Sequence, residues 1–402
     1  MSKLKLLSLC SGIGSPELAA ARVWDDVRIV AACEIDKFSR QTYEANFDID
    51  PQHYHDDVTA MDAMPYCHNT DALIGGFPCQ AFSVAGLRLG FEDTRGTIFY
   101  DFVRILNETQ PKFFVFENVK GLVGHGKEKD VEHEVCFLDL FGEEQKVKTT
   151  TKGRNYFSKK HNEKEIGRTL SVMEDVLDGT GYFWTWEVLN TKDFGVPQNR
   201  ERIFMVGFKL EEDFNNFSFP DAFPLEKRLE DILEDDVDEK YFLNERQIEN
   251  IEKSNFIQNR RIIQGNQVVD TLCTRDFKDP KCVVVGMLDI KGTDQIRRVY
   301  DIGGVSPALT TMQGGNQEPK IFLNPRVRKL TPLECFRLQD FPNSFKKVVS
   351  NSQLYKQAGN SITVAVMEQI MNKIKIAISG QVVSEAEMGG LFREDCNTQE
   401  NS

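Results

Sequence analysis

Short apolar runs that end in glycine-rich or acidic turns recur through the first half of the chain. Lys3 to Leu9 predicts a buried strand and runs into Cys10-Ser11-Gly12-Ile13-Gly14-Ser15-Pro16-Glu17. Gly12 and Gly14 permit a tight turn and the close approach of a ligand. Ser15 is placed to cap the next helix, and Pro16 suits its first turn. Strand, glycine turn and helix make half of a nucleotide-binding unit. Arg28 to Cys33 predicts a second strand, ending in Glu34-Ile35-Asp36. Leu73-Ile74 closes another apolar run before Gly75-Gly76, and Phe113-Phe114-Val115-Phe116 leads straight into Glu117-Asn118-Val119. Continuous apolar runs of this kind are strands buried on both faces.

Helical spacing appears at Ile98, Phe102, Ile105 and Leu106, and again at Leu170, Met173, Val176 and Leu177. Thr331-Pro332-Leu333-Glu334 is a capping box with proline at the first helical position. Gln357-Ala358-Gly359-Asn360-Ser361 reads as a polar turn. It opens a helix with Ile362, Val366, Ile370, Ile374 and Ile378 at steps of four, a stripe that must pack against something.

At 402 residues the chain exceeds one ordinary domain, and two are expected. A hydrophobic content of 40% with 28% charged residues is that of a soluble protein. No apolar run approaches a membrane span, and the apolar part of the N-terminus is too short for a signal peptide. Nine cysteines are scattered with no Cys-x-x-Cys pair. That pattern argues against a disulfide framework and a zinc site, so no metal and a reducing cytoplasm are expected.

The net charge of −13 hides an uneven distribution. Residues 211–252 carry 15 acidic against 4 basic side chains, and residues 260–347 carry 15 basic against 9 acidic. One face can therefore be basic, and local potential governs nucleic-acid binding. The acid-rich stretch reads as the exit from a first domain. Residues 256–325, with β-like runs at Gln267 to Leu272 and Lys281 to Met287, read as a small domain facing a polymer surface. Residues 126–166 are charged and read as an insertion on the first domain's edge.

Several residues carry candidate chemistry. Cys79 follows Gly75-Gly76-Phe77-Pro78 in a polar loop at a strand's C-terminal edge, where open α/β sheets hold ligands, and is a candidate nucleophile. A lone cysteine elsewhere would be an inert hydrophobe. The loop continues to Gly96 with Arg88 and Arg95. Glu34 lies where a carboxylate can accept from both ribose hydroxyls of an adenosine ligand, and Asp57 offers a further acid at a turn. Glu17 replaces the third glycine of a dinucleotide fingerprint, which favours a single nucleoside such as S-adenosylmethionine over NAD. Glu117 ends a buried strand, where desolvation raises a carboxyl pKa. Arg200 and Arg202 share a side if the pleat already holds there, and suit phosphate or carbonyl recognition.

Six ordered motifs then coincide: Cys10 to Gly14, Gly76 to Gln80, Glu117 to Val119, Gln198 to Arg202, Arg328 to Pro342 and Gln357 to Ser361. Together they resemble the C5-cytosine DNA methyltransferase family over most of residues 4–208 and 326–378. The resemblance implies an α/β fold, with a Rossmann-like, S-adenosylmethionine-dependent large domain and a smaller, irregular, β-rich target-recognition domain. The expected boundaries are 1–210 for the catalytic domain, 211–327 for target recognition and 328–350 for a hinge helix region. A C-terminal helix over 351–380 completes the large domain, and 381–402 is a tail.

By motif position, Cys79 is the nucleophile toward C6 of a flipped-out cytosine, Glu117 holds the base, and Arg200 and Arg202 contact substrate. Cys10, Ser11, Gly12, Ile13, Gly14, Glu34, Ile35, Asp57, Val58, Gly76, Pro78, Asn360 and Ser361 would contact S-adenosylmethionine. Gln80, Ser83, Arg88 and Arg95 would face DNA. The partner implied is double-stranded DNA met by a monomer in the cytoplasm of a bacterial cell, or by a phage-encoded enzyme, with room for a cognate restriction endonuclease. Cys10 stands where the family usually has phenylalanine, and Ser15 replaces a further glycine. A tRNA cytosine-5 methyltransferase shares the motifs; the length of 211–327 and Ser83 in place of threonine favour DNA. A DNA-binding module without catalysis and an NAD-linked enzyme are the other readings, and intact Cys79, Glu117 and Arg202 weigh against the first of them.

Overall fold

The structure, a computed structural model, describes residues 3–77, 97–125, 132–138, 144–150, 156–157, 161, 165–243, 284–287, 298–312, 317–323 and 326–380. The apolar runs become the strands of one seven-stranded sheet. These are β1 (Lys3–Leu9), β2 (Asp26–Cys33), β3 (Tyr54–His55), β4 (Ala72–Gly76) and β5 (Phe113–Val119), with two later strands described below. Their helices are α1 (Ser15–Val23), α2 (Lys37–Asn46) and α3 (Thr97–Thr109).

The charged stretch expected as an insertion contains a hairpin of β6 (Glu132–Leu138) and β7 (Glu144–Thr150), then the short antiparallel pair β8 (Tyr156–Phe157) and β9 (Glu165–Ile166). Helix α4 (Arg168–Asp178) leads to β10 (Phe183–Asn190), β11 (Gln198–Asn199) and β12 (Glu201–Phe208). The sheet order is β10-β12-β5-β4-β1-β2-β3, parallel from β5 to β3, with β12 antiparallel to both its neighbours.

Period-two alternation sorts the side chains onto two covered faces. Phe113 and Val115 of β5, with Phe204 and Val206 of β12, point into a cluster shared with α1 and the C-terminal helices. Phe114, Phe116, Ile203 and Met205 point the other way, against α3 and α4. Both faces are buried, which is why the strands read as unbroken apolar runs.

The acid-rich composition after 210 does not mark the edge of this body. Helix α5 (Glu211–Asn215) follows, and Phe214, Phe217, Phe219, Leu229 and Ile232 join the first cluster. Beyond it, β13 (Val284–Met287), β14 (Arg298–Asp301), β16 (Lys320–Leu323) and β17 (Arg326–Lys329) form a separate four-stranded sheet, while β15 (Ser306–Pro307) pairs with β11. The run expected at 267–272 lies outside the described residues.

Helix α6 (Pro332–Arg337) starts at the expected capping box, Thr331 accepting from the Glu334 amide and Glu334 from the Thr331 amide. Gln357 to Asn360 are not a turn but the last residues of helix α7 (Asn351–Asn360), and the stripe belongs to a further helix, α8 (Val364–Ser379). Val366, Ile370 and Ile374 pack on the cluster beside α1, whereas Ile362 precedes the helix. Ser15 is no cap either: it is the first helical residue, and Gly14 stands at the N-cap with φ 92°. Among the described residues no helix is long and apolar enough to cross a membrane.

Candidate active site

β1 and β4 are parallel neighbours whose following helices, α1 and α3, pack on opposite faces of the sheet. A crevice must open where the connections diverge, outside the strands' C-terminal ends. A cleft lies there. One wall is the turn after β1, residues 10–13 with Ser15 and Pro16; Gly75 and Gly76 form the floor. Glu117 enters from β5, and Asn360, Ser361 and Ile362 close it from the far end of the chain. The structure thus brings Cys10, Ser11, Gly12, Ile13, Gly76, Glu117, Asn360 and Ser361 together around one cleft.

The turn is held by its neighbours rather than by preference. Cys10 and Gly12 both adopt left-handed backbone, φ 49° and 56°, and a non-glycine residue held there costs about 1–3 kcal/mol. Gly14 is left-handed too, and a Cβ there would meet the Phe47 ring at 2.1 Å. Glu34 fastens the turn from below: one carboxylate oxygen accepts from the Gly12 amide at 2.8 Å and the other from the Asp36 amide at 2.8 Å. Burial raises its pKa against those two amides. A carboxylate offers about four acceptor sites, so two remain for ribose hydroxyls. Ile35 beside it is 77% exposed, an apolar side chain left free at the rim. Asp57 is exposed in the turn after β3 and accepts from Thr59, while Val58 is buried.

Glu117 is paired with Arg202 across neighbouring strands, Nε to Oε1 at 3.0 Å. Burial pushes its carboxyl above the usual range, with Arg202 and Arg200 opposing. Its other oxygen lies over Gly76, where a Cβ would come within 2.9 Å of it. Arg200 is near enough for its charge to act on Glu117, but it makes no hydrogen bond to it. The strand breaks at it, between β11 and β12, and its guanidinium is buried on the backbone carbonyls of Leu309, Gly359 and Ser361. A group so occupied is a structural tie, which corrects the expectation of a shared face with Arg202. Pro78, Cys79, Gln80, Ser83, Arg88 and Arg95 lie outside the described residues.

Four further side chains hold the cleft's walls in ways their sequence positions did not reveal. Asn118, buried on the strand after Glu117, donates to the Phe77 carbonyl at 3.0 Å and so anchors the chain just before Pro78-Cys79. Its place inside the Glu117-Asn118-Val119 motif was the available signal. Glu17 is fully buried under the glycine turn, accepting from Ser8 and Tyr43. An acid among Ala19, Ala20 and Leu18 was the hint. Gln357 ties α7 to α2 through Phe38 and Thr42, and Lys356 adds an ion pair with Asp36.

Comparison with known proteins adds an independent observation. The family model described as C-5 cytosine-specific DNA methylase matches residues 4–148 and 157–376. The chain is 31% identical to orphan methyltransferase M.Rho11sI of Bacillus phage rho11s, over 93% of this chain and 98% of that protein. It is 34% identical to type II methyltransferase M.NlaX of Neisseria lactamica, over 93% and 97% of the two. Among solved structures, the Entamoeba histolytica methyltransferase EhMeth superposes with a TM-score of 0.63 at 14% identity, over 94% of this chain and 99% of that one. At that identity the likeness shows the fold.

Proposed function

The chain belongs to the C-5 cytosine-specific DNA methylase family and is a DNA cytosine methyltransferase; from that premise we propose that it methylates C5 of a cytosine flipped out of duplex DNA, through a covalent bond from Cys79 to C6. The observation that carries the reading is the cleft, where the acid of β5 meets the glycine turn and the Asn360-Ser361 corner.

Cytosine C5 is a poor nucleophile. Addition of the Cys79 thiolate to C6 breaks the ring's conjugation and leaves C5 as an enamine carbon. Burial favours the neutral acid of Glu117, which can donate to N3 as charge develops on the ring. Arg202, already on Glu117, would donate to the O2 carbonyl of such a base. S-adenosylmethionine, when bound, supplies the electrophilic methyl group. The residues present fit it: Ser11, Asn360 and Ser361 offer polar groups, Glu34 keeps acceptor capacity, and Gly12 has nothing within 4 Å of the side a Cβ would occupy. Loss of the C5 proton and expulsion of the thiolate close the cycle. None of this can proceed inside the stack, and extruding the base costs a few kcal/mol.

Target reading is assigned to residues 256–325, supported by the basic excess over 260–347. A cytoplasmic monomer is part of the same reading. So is a cognate endonuclease, which the type II name of the Neisseria relative supports.

DNA synthesised with 5-fluorocytosine tests the chemistry, because fluorine cannot leave as a proton. With S-adenosylmethionine present it should trap the chain in a complex that survives denaturing electrophoresis, and Cys79→Ser should abolish the trapped band. A trapped band of equal strength from Cys79→Ser would overturn the nucleophile assignment. Glu117→Gln should lower transfer of labelled methyl to mixed-sequence DNA by about 10²–10⁴-fold.

A further inference from the structure

Arg200 is 2% exposed and holds three carbonyls from two segments far apart in the chain. Nη1 donates to Leu309 at 3.0 Å; Nη2 donates to Gly359 at 3.0 Å and Ser361 at 2.9 Å. The two arms of one planar fork thus grip different parts of the molecule. Gly359 and Ser361 flank Asn360, at the corner of α7 that closes the cleft. Leu309 follows β15, on the segment running between the strands of the small sheet.

The segments meet closely. A Cβ on Gly359 would come within 1.9 Å of the Thr310 carbonyl oxygen, so only glycine permits this approach. Gln198 reinforces the same seam, accepting from the Leu309 amide at 3.1 Å.

We infer that Arg200 is a positioning residue that couples occupancy of the cofactor cleft to the order of the segment carrying the small sheet. The inference rests on the reading of the cleft as a cofactor site. A ligand seated against Asn360 and Ser361 stiffens the carbonyls that hold Nη2. The rigid guanidinium passes that constraint to Leu309 through Nη1. A lysine keeps the charge but has a single nitrogen, and cannot span both arms. Burial and the neighbouring Arg202 lower the Arg200 pKa to about 9 against the opposing charge of Glu117, and the three carbonyls fix where its fork points.

Hydrogen exchange on the full chain, with and without S-adenosylhomocysteine, tests it. In the parent, the ligand should slow exchange at residues 357–361 and also at 306–312, the latter by at least about fivefold. In Arg200→Lys the protection at 357–361 should persist while the response at 306–312 falls to within about twofold. Gly359→Ala leaves Arg200 intact but forces the segments apart, and should uncouple them likewise if Arg200→Lys does not fold. A full response at 306–312 in a folded Arg200→Lys chain overturns the inference, as does a parent that binds the ligand without any response there. A parent that does not bind S-adenosylhomocysteine overturns the cofactor reading, and the inference with it.

Discussion

The interior is built in two chemistries. Around the large sheet, Phe113, Phe114, Phe116, Trp184 and Trp186 are all fully buried, and the faces are filled by apolar volume. At the seam joining that sheet to the small one and to the C-terminal helices, the polar side chains Gln198, Arg200, Arg328, Glu334 and Gln339 are buried among apolar ones such as Leu309, Leu330 and Leu338. Most of their bonds reach backbone or charge across long sequence distances, as when Gln198 donates to the Leu338 carbonyl and accepts from the Leu309 amide. Apolar packing demands volume and tolerates many arrangements of comparable shape. Buried polar groups demand particular partners, and so fix orientation. The cleft draws Glu117 from the first region and Asn360 from beside the second, so its geometry depends on both.

Removing a partner at the seam should have the largest effect. Glu334 is fully buried. Its carboxylate takes both terminal nitrogens of Arg328 and the amides of Thr331 and Glu234. Glu334→Ala leaves a buried guanidinium without its anion and should cost about 3–5 kcal/mol, read as a lower urea midpoint. Adding Arg328→Met should recover only part of the loss, because the two amides still lack an acceptor. Full recovery would mean that the seam behaves like the apolar core.

The complementary perturbation adds volume where volume is already complete. Gly207 on β12 faces the Phe114 ring, and a Cβ there would come within 2.1 Å of it. Phe114 cannot yield, since it packs on Phe116 at 4.6 Å and Tyr182 at 5.6 Å between centroids. Gly207→Ala should destabilise by about 1–3 kcal/mol, with exchange at 306–312 unchanged relative to the rest of the chain. A selective change at 306–312 would show that the two regions are not separable in this way.

The same contrast explains what the sequence disclosed. The strands were legible because apolar runs and their alternation are local, and the capping box at Thr331 involves residues three apart. The cleft was legible through motifs, since Glu34, Glu117 and Asn360 each sit at the end of an element. Arg200 was not, because its acceptors lie 109, 159 and 161 positions away and are backbone atoms that leave no mark in composition. Gly359 misled for a related reason. It reads as a helix breaker, yet it stays helical and is small because Thr310 passes against it.

Glu17 gives the smallest effect and the sharpest test of polar burial, because it lies on the large-sheet side among apolar neighbours. Its carboxyl accepts from Ser8 and from Tyr43 at 2.8 Å, and burial raises its pKa above the ordinary 4.5. A raised folded-state pKa means that the folded chain binds the proton more tightly than the unfolded one. The contribution is fully present below about 4.5 and is lost as pH rises through the folded value. Glu17→Gln keeps an oxygen for both donors and cannot ionise. The parent's melting temperature should therefore fall relative to that of Glu17→Gln by a few degrees as pH is raised from below 4.5 toward 8. Parallel curves would mean that the carboxyl ionises as readily folded as unfolded. The polar group under the glycine turn would then be held by charge, as at the seam, rather than by its neutral form.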